Sequence, residues 1–535
     1  MTDSDFSTVS NTPQPPYVEP RDHALALLTL GELRTLESRA AAALPPNTLM
    51  ARAGAAAAQF VIDQNRHAPH LAALPVWIVA GPGNNGGDAL VMAARLRRAG
   101  IDVEVCMPVE VKPDDARWAL AEARQAGVKI TTESPPSFDT FGWLIDGMFG
   151  IGLGRPLEGV FADLAARLSR RSKASGGVLA LDIASGLSSD TGEPVSRSAD
   201  GRAQAVRATH TITFIGAKPG HFTGDGRDLT GKLYIADLGI ADLGVKPPLE
   251  PSVVLNAPSL FGSHLPPRDF STNKGTFGTL AVLGGDTGMC GAPILAARMA
   301  LYGGAGKVNV AFIGTDSPPY DPPHPELMLH HVDQISLDKM NALAVGCGMG
   351  QSERAKKVLV DVLALDVPKL FDADALNLIS SDEKLAAKIA ERGARGDPCI
   401  LTPHPLEAAR LLGSEVKKVQ ADRIAAARQL AARFAAVAVL KGTGTIVASP
   451  DGRVSVNPTG NAALATGGTG DVLGGLIGAF LAQRLPAYEA ALAGVYLHGL
   501  AAEELTGEGE GPAGLTAGEL APKVRSLLNR LFYAT

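Results

Sequence analysis

The sequence predicts an α/β protein of two domains, each built on a mostly parallel sheet covered on both faces by helices, and three observations carry that expectation. Short apolar runs alternate with amphipathic stretches along most of the chain, the pattern of buried parallel strands joined by helical crossovers. The 535 residues exceed what one hydrophobic core usually serves. The 60 glycines, with 46% hydrophobic and 19% charged residues, suit compact domains joined by tight turns and exclude a disordered or fibrous chain.

Taken in order, residues 1–22 are polar and Pro-rich, without a helical or strand period, and are expected as a disordered tail. Apolar runs at 76–80, 103–107, 143–146, 178–182 and 211–214 read as strands, and a helical stretch follows the first of them at 89–98. The run GVKPPLEPSVVLNAP at 244–258 breaks every period, because its prolines remove backbone donors and restrict the residues before them. The domains are therefore expected at 23–248 and 249–535. A second series of strands follows at 279–283, 308–312, 343–345, 370–372, 399–401 and 437–440, with a late helix at 471–483. No repeat relates the halves, and GEGEGPAG at 507–514 reads as a mobile connector.

Bulk properties exclude several function classes. With a net charge of −6 and no dense Lys/Arg run, nucleic acid is not an expected partner. The 4 cysteines lack CxxC spacing, so neither a metal knuckle nor a disulfide framework is expected. The chain shows no signal-peptide pattern and no apolar run of the about 18–20 residues that span a bilayer. A cytoplasmic protein without a membrane partner is the expectation.

In the second half, Gly467-Gly468-Thr469-Gly470-Asp471 opens the late helix. Clustered glycines at a helix start let backbone N–H groups and the helix dipole converge on a phosphate, and Asp471 at that mouth is placed to take a proton from a hydroxyl. A Gly-rich turn capped by an Asp does no chemistry in itself. Here, however, Lys441-Gly442-Thr443-Gly444-Thr445, TPHPLE at 402–407 and FDADALN at 371–377 each follow a strand, where open α/β sheets bind ligands.

These motifs, with Asn273-Lys274-Gly275, the GG and GAP of 284–293 and GCGMG at 346–350, resemble in their order the ADP/ATP-dependent NAD(P)H-hydrate dehydratases over residues 260–530. The resemblance implies a ribokinase-like fold. It implies that Lys441, Gly442, Thr443, Gly444, Thr445 and Gly470 contact ADP or ATP with Mg²⁺, and that Ala292, Gly350, His404 and Asp471 line the hydrated dinucleotide, Asp471 being the base. The implied reaction phosphorylates the ring hydroxyl and then expels phosphate to restore reduced nicotinamide. From the residues alone, His404 between two prolines is as readily a loop-shaping residue. Asn273 stands where the family usually has His, and Leu406 replaces a frequent Gly.

In the first half, Gly81-Pro82-Gly83-Asn84-Asn85-Gly86-Gly87-Asp88 joins a strand to a helix and lacks the P-loop Lys. The oxygens of Asn84, Asn85 and Asp88 are of the kind that bind hard cations or fix a ribose. GNNGGD, the D-x-x-FG-x-GL starting at Asp146 and the D-I-x-SG starting at Asp182 resemble the NAD(P)H-hydrate epimerases, of Rossmann-like doubly wound fold, over residues 25–245. That resemblance makes Asn84, Asn85, Gly86, Gly87 and Asp88 substrate-binding, together with Gly150, Ile151, Gly152, Leu153, Gly154, Arg155 and Pro156. It makes Asp182 a substrate contact and the acid/base, and Asn85, Asp146 and Ser185 ligands of K⁺. Ala89 and Ala184 replace the family's usual Gly and Pro, and Lys218 matches a family segment without an assigned role.

The two resemblances imply one bifunctional enzyme acting on hydrated NADH or NADPH, with a homo-oligomer as the expected assembly. The alternative reading is a ribokinase-like small-molecule kinase beside a non-catalytic dinucleotide-binding module.

Overall fold

The computed structural model describes residues 24–171, 176–246, 251–315, 317–397 and 399–534. The tail expected at 1–22 and the boundary expected between 248 and 249 lie outside the described residues.

The first sheet comprises β1 (Val76–Ala80), β2 (Val103–Cys106), β3 (Lys129–Thr131), β4 (Trp143–Gly147), β5 (Gly177–Leu181), β6 (His210–Phe214) and β7 (Lys232–Ala236). Their order is β3-β2-β1-β4-β5-β6-β7, every pair parallel. This is the doubly wound arrangement, whose order reverses between β1 and β4 and opens a crevice beyond the strand ends there. Along β1, Val76, Ile78 and Ala80 enter the core on one face, and Trp77 and Val79 the core on the other. Burial on both faces makes the sequence read as an unbroken apolar run.

The second sheet comprises β8 (Val254–Leu255), β9 (Thr279–Gly284), β10 (Lys307–Phe312), β11 (Met328–His331), β12 (Ala342–Val345), β13 (Lys369–Phe371), β14 (Ile400–Leu401), β15 (Val437–Leu440), β16 (Ile446–Ala448) and β17 (Val454–Val456). The order is β11-β10-β9-β12-β13-β14-β15-β16-β17-β8, parallel from β11 to β15 and then turning antiparallel through β16 and β17. Leu280 and Val282 of β9 enter one core, and Ala281 and Leu283 the other. The α/β fold class expected from the sequence is observed in both sheets.

Local differences have physical causes. β8 lies inside the Pro-rich run that breaks every period, held by pairing to β17 and by a bridge from Val254 to Ala26. The first helix after β1 starts at Asn84 rather than Ala89, with Gly83 extended at its N-cap, so GNNGGD supplies the helix's opening turn rather than a preceding loop. The late helix spans Thr469–Ala482. Among the described residues no helix is long and apolar enough to cross a membrane.

The halves meet along the segment after β6. Thr223 Oγ1 donates to Thr443 O at 3.4 Å, and Leu27 N donates to Val253 O at 2.9 Å. A Cβ built on Gly444 would fall 1.9 Å from Phe222 O, so the 441–445 loop lies directly against the first half's backbone.

Candidate active sites

The first site forms beyond β1, β4 and β5. Gly86 lets the opening turn of helix Asn84–Arg98 close on the preceding strand end, since a Cβ there would lie 1.9 Å from Gly81 O. Asn85 points inward, 6% exposed, and both its amide oxygen and nitrogen are buried without a hydrogen-bond partner. Asp146, wholly buried at the end of β4, accepts from Ser185 N at 2.8 Å, Ser185 Oγ at 2.7 Å and Met148 N at 3.2 Å. Burial nevertheless pushes its carboxyl up to about 6 against those hydrogen bonds. A buried amide oxygen lacking a donor, together with the bonded carboxylate and hydroxyl of Asp146 and Ser185, supplies oxygen donors of the kind that fit a weakly demanding cation.

Asp182 follows β5 with φ of +67°, and Ile183 N donates to Leu181 O at 2.8 Å, which closes a three-residue turn on it. Ile215 after β6 repeats the device, with φ of +68° and Gly216 N donating to Phe214 O at 2.8 Å. Such turns are strained for side-chain-bearing residues and persist where their surroundings hold them. Lys218 holds this one. Fully buried, its Nζ lies 2.5 Å from Asp182 Oδ1 and also donates to Thr213 Oγ1 and Phe214 O, which uses all three ammonium protons.

Burial works to raise the Asp182 carboxyl. The charge and hydrogen bond of Lys218, with help from His221 and Phe214 N, outweigh it and hold the group below the usual carboxylate range. His221 accepts from Lys218 N through Nδ1 at 3.2 Å and sits 3.2 Å from Asp182 O through Nε2, so Nε2 carries its proton. Burial, then Lys218, takes this imidazole down to about 3, so it is neutral at pH 7. Asp88 is shifted the other way, pushed well up by desolvation and by repulsion from Asp182. Two carboxyl groups forced in opposite directions are a common sign of acid/base chemistry.

Gly150 joins the parts, for a Cβ on it would sit 3.2 Å from Asp182 Oδ2 and 3.6 Å from Asn85 Cβ. Ile151 and Leu153 pack on apolar neighbours, whereas Gly152, Gly154, Arg155 and Pro156 stand on an exposed stretch of loop, and Asn84 is exposed at the helix start. Ala89 is fully buried with its methyl towards Gly147, where a second Cβ would come within 2.5 Å. Its extra methyl is thus accommodated by a glycine on β4. Ala184 is buried in the core beside β4 and β5.

The second site lies beyond β9, β12, β13 and β15. Gly468, with φ of +89°, turns the chain into helix Thr469–Ala482 and leaves Asp471 in its first turn. Lys441 Nζ pairs with Asp372 Oδ1 at 2.6 Å and lies 3.6 Å from where a Cβ on Gly470 would be, so the KGTGT loop, the DADALN turn and the helix start converge. Burial raises the Asp471 carboxyl, the Asp372 charge adds to the rise, and a hydrogen bond with Cys347 and the Lys441 charge oppose it.

Gly350 N donates to Asp374 Oδ2 at 2.9 Å, and a Cβ on Gly348 would come within 3.3 Å of Ala292 Cβ, which brings the β12 turn against the start of helix Gly291–Tyr302. His404 is the N-cap of helix Pro405–Leu412. Its Nδ1 accepts from Leu406 N at 3.1 Å and Glu407 N at 3.2 Å, while Glu407 Oε2 accepts from His404 N at 2.8 Å. The loop-shaping reading of His404 therefore describes its Nδ1, and Nε2 remains beside Glu407 at 3.2 Å. Leu406 is 45% exposed.

A cavity of about 530 Å³ runs along this site, of ligand size, lined by Lys441, Gly442, Thr443, Gly444, Thr445 and Gly470. Asn457, Thr459, Gly460 and His498 also line it, as do Arg227 and Asp228 of the first half. His498 Nε2 is buried there without a partner. Sequence reasoning missed the roles of His221, Cys347, His498 and Arg227, and it named Lys218 without giving it one, because nothing local marks a lysine for complete burial.

The fold and the two sites define a two-domain α/β enzyme class, a doubly wound carboxylate site joined to a nucleotide-sized cavity at a glycine-opened helix. Residues 46–220 match the family of YjeF-related protein N-termini, and residues 280–523 match the NAD(P)H-hydrate dehydratase family. The chain is 36% identical over 492 residues, 90% of its own length and 89% of the relative's, to the bifunctional NAD(P)H-hydrate repair enzyme of Escherichia coli (strain K12). It is 50% identical over 269 residues, 49% of this chain and 89% of that one, to the ADP-dependent (S)-NAD(P)H-hydrate dehydratase of Neisseria meningitidis. A solved ADP/ATP-dependent NAD(P)H-hydrate dehydratase from Bacillus subtilis, co-crystallised with ATP/Mg²⁺, is 34% identical, with a TM-score of 0.44, over 51% of this chain and 96% of that one. The chain belongs to the bifunctional NAD(P)H-hydrate repair enzymes, as its motif order indicated.

Proposed function

We propose that this chain repairs hydrated NADH and NADPH, its first half interconverting the R and S forms and its second half dehydrating the S form with ADP or ATP. The observation that carries the second activity is the convergence of Lys441 and Gly470 on the wall of a nucleotide-sized cavity, with Asp471 the next residue in the same first turn of the helix. A phosphate seated on the amides of the Thr469–Ala482 helix start would meet the hydroxyl that Asp471 deprotonates, and phosphorylation turns a poor leaving group into a good one. Mg²⁺ enters with the nucleotide, since this ion is generally held by phosphate oxygens and few protein ligands.

In the first half, Asp182 is the acid/base, set in its working orientation by Lys218 and His221. K⁺ is assigned to Asn85, Asp146 and Ser185, a reading supported by the buried, unpartnered Asn85 amide and by the bonded Asp146–Ser185 pair. The domain boundary is placed between 248 and 249, between the two family matches, which end at 220 and begin at 280. A cytoplasmic homo-oligomer remains the expected setting.

Nucleotide-free conversion of purified R-hydrate to S-hydrate, followed by chromatography, tests the first activity. Asp182→Asn should abolish interconversion above the spontaneous rate in folded protein. Interconversion at the wild-type rate would remove Asp182 from the chemistry and reduce the first half to a binding module.

A further inference from the structure

We infer that the nucleotide site is completed by the other half of the chain, with Arg227 walling the nucleoside end of bound ADP or ATP. The inference rests on the nucleotide reading proposed above and assigns one more residue to that site.

The residues lining the cavity fall into two chemically different groups. Lys441 and the amides at Gly470, which lie together, supply positive charge for phosphate. In the other group Arg227 stands beside Gly460: its Nη2 lies 3.5 Å from Glu503 Oε1, and the same oxygen accepts from Gly460 N at 3.0 Å. Asp228 lines the cavity beside Arg227. A carboxylate there disfavours a polyphosphate. It suits the hydrogen-bond donors of a ribose or an exocyclic amine, and a guanidinium plane suits the face of a purine.

Arg227 is fixed where it is by its backbone. It sits in the short helix Gly226–Thr230, and the segment leading into it is seated on the nucleotide loop through Thr223 and Phe222. Its side chain is 25% exposed, largely enclosed yet still lining the cavity. The 3.5 Å contact with Glu503 does not withdraw the guanidinium from the wall, which Arg227 still lines.

Calorimetric titration of the full-length protein with ADP and with adenosine, alongside the KM and kcat for ADP, tests this. Arg227→Ala and Arg227→Lys should each weaken ADP and adenosine about tenfold. They should raise the KM for ADP in proportion and leave kcat within about twofold, as expected where uniform binding alone is lost. Glu503→Gln, which breaks the ion pair and keeps both Arg227 and the acceptor for Gly460 N, should bind ADP within about twofold of wild type.

Unchanged ADP affinity in both Arg227 variants would overturn the inference. So would a Glu503→Gln variant as weak as Arg227→Ala, because the effect would then arise from the inter-half pair. A loss of ADP affinity with adenosine affinity untouched would make Arg227 a phosphate ligand and overturn the nucleoside assignment. Wild-type protein that binds no ADP would remove the proposed site itself, an outcome distinct from wild type that binds and Arg227 variants that match it.

Discussion

Asp182 is ionised because Lys218 is beside it, and that dependence can be measured. Lys218→Met would leave the carboxylate without its counter-charge and abandon the acceptors on Thr213 and Phe214. Removing one member of a buried pair costs about 3–5 kcal/mol, so denaturant unfolding at pH 7 should show a loss of that order. The acid limb of the epimerase pH profile should also move up, since burial would then act on Asp182 unopposed.

Asp146 gives a second residue-scale expectation. With its carboxyl near 6, the K⁺ proposed for this site requires the ionised form, so K⁺ affinity should be full above that pH and fall as pH drops through it. Titrating K⁺ activation at pH 7.5 and pH 5 checks this, and equal affinities at both would dissociate K⁺ from Asp146. Asp471, raised above its ordinary value by burial, should place the acid limb of dehydratase kcat/KM above that of a free aspartate. A limb at or below that value would remove it as the base.

The carboxylates of both sites were legible in the sequence because Asp146 and Asp182 close apolar runs, while Asp88 and Asp471 follow glycine clusters. Lys218 and Cys347 were not, since their roles come from partners brought in by tertiary packing.

At the scale of elements, the glycine that opens the first site's helix makes the sharpest case. Gly86→Ala would drive a methyl against Gly81 O, and displacement in a packed interior costs about 1–3 kcal/mol. Epimerisation should fall with the displaced Asn84–Asp88 turn while nucleotide-dependent dehydration of S-hydrate persists, and loss of both together would mean that the turn serves the whole molecule. The central strands could be read from sequence because burial on both faces makes them continuously apolar, as in β1, β4 and β5. The edge strands β3 and β11 carry exposed and partly exposed residues, and β8 is two residues long, so none offered such a run. The first helix was read five residues late because Asn-Asn-Gly-Gly has poor helix propensity, overridden here by close packing on Gly81 and Met50.

Across the whole molecule, one short segment serves both sites. Lys218 and His221 hold Asp182, Phe222 and Thr223 seat the 441–445 loop, and Arg227 lines the cavity beside that loop. Sequence reading separated the halves at the proline-rich run, and that separation hid this contact, because no local pattern announces which surface of one domain meets another. The central claim is that both epimers of the hydrate are returned to reduced dinucleotide on one chain. The measurement that tests it most directly is recovery of reduced-nicotinamide absorbance from a mixed-epimer NADH hydrate with ADP or ATP, Mg²⁺ and K⁺, in wild type and Asp471→Asn. Rapid, complete, nucleotide-dependent recovery in wild type and none in the variant is the expected result. Recovery that stops at one epimer, or that Asp471→Asn leaves intact, would contradict it.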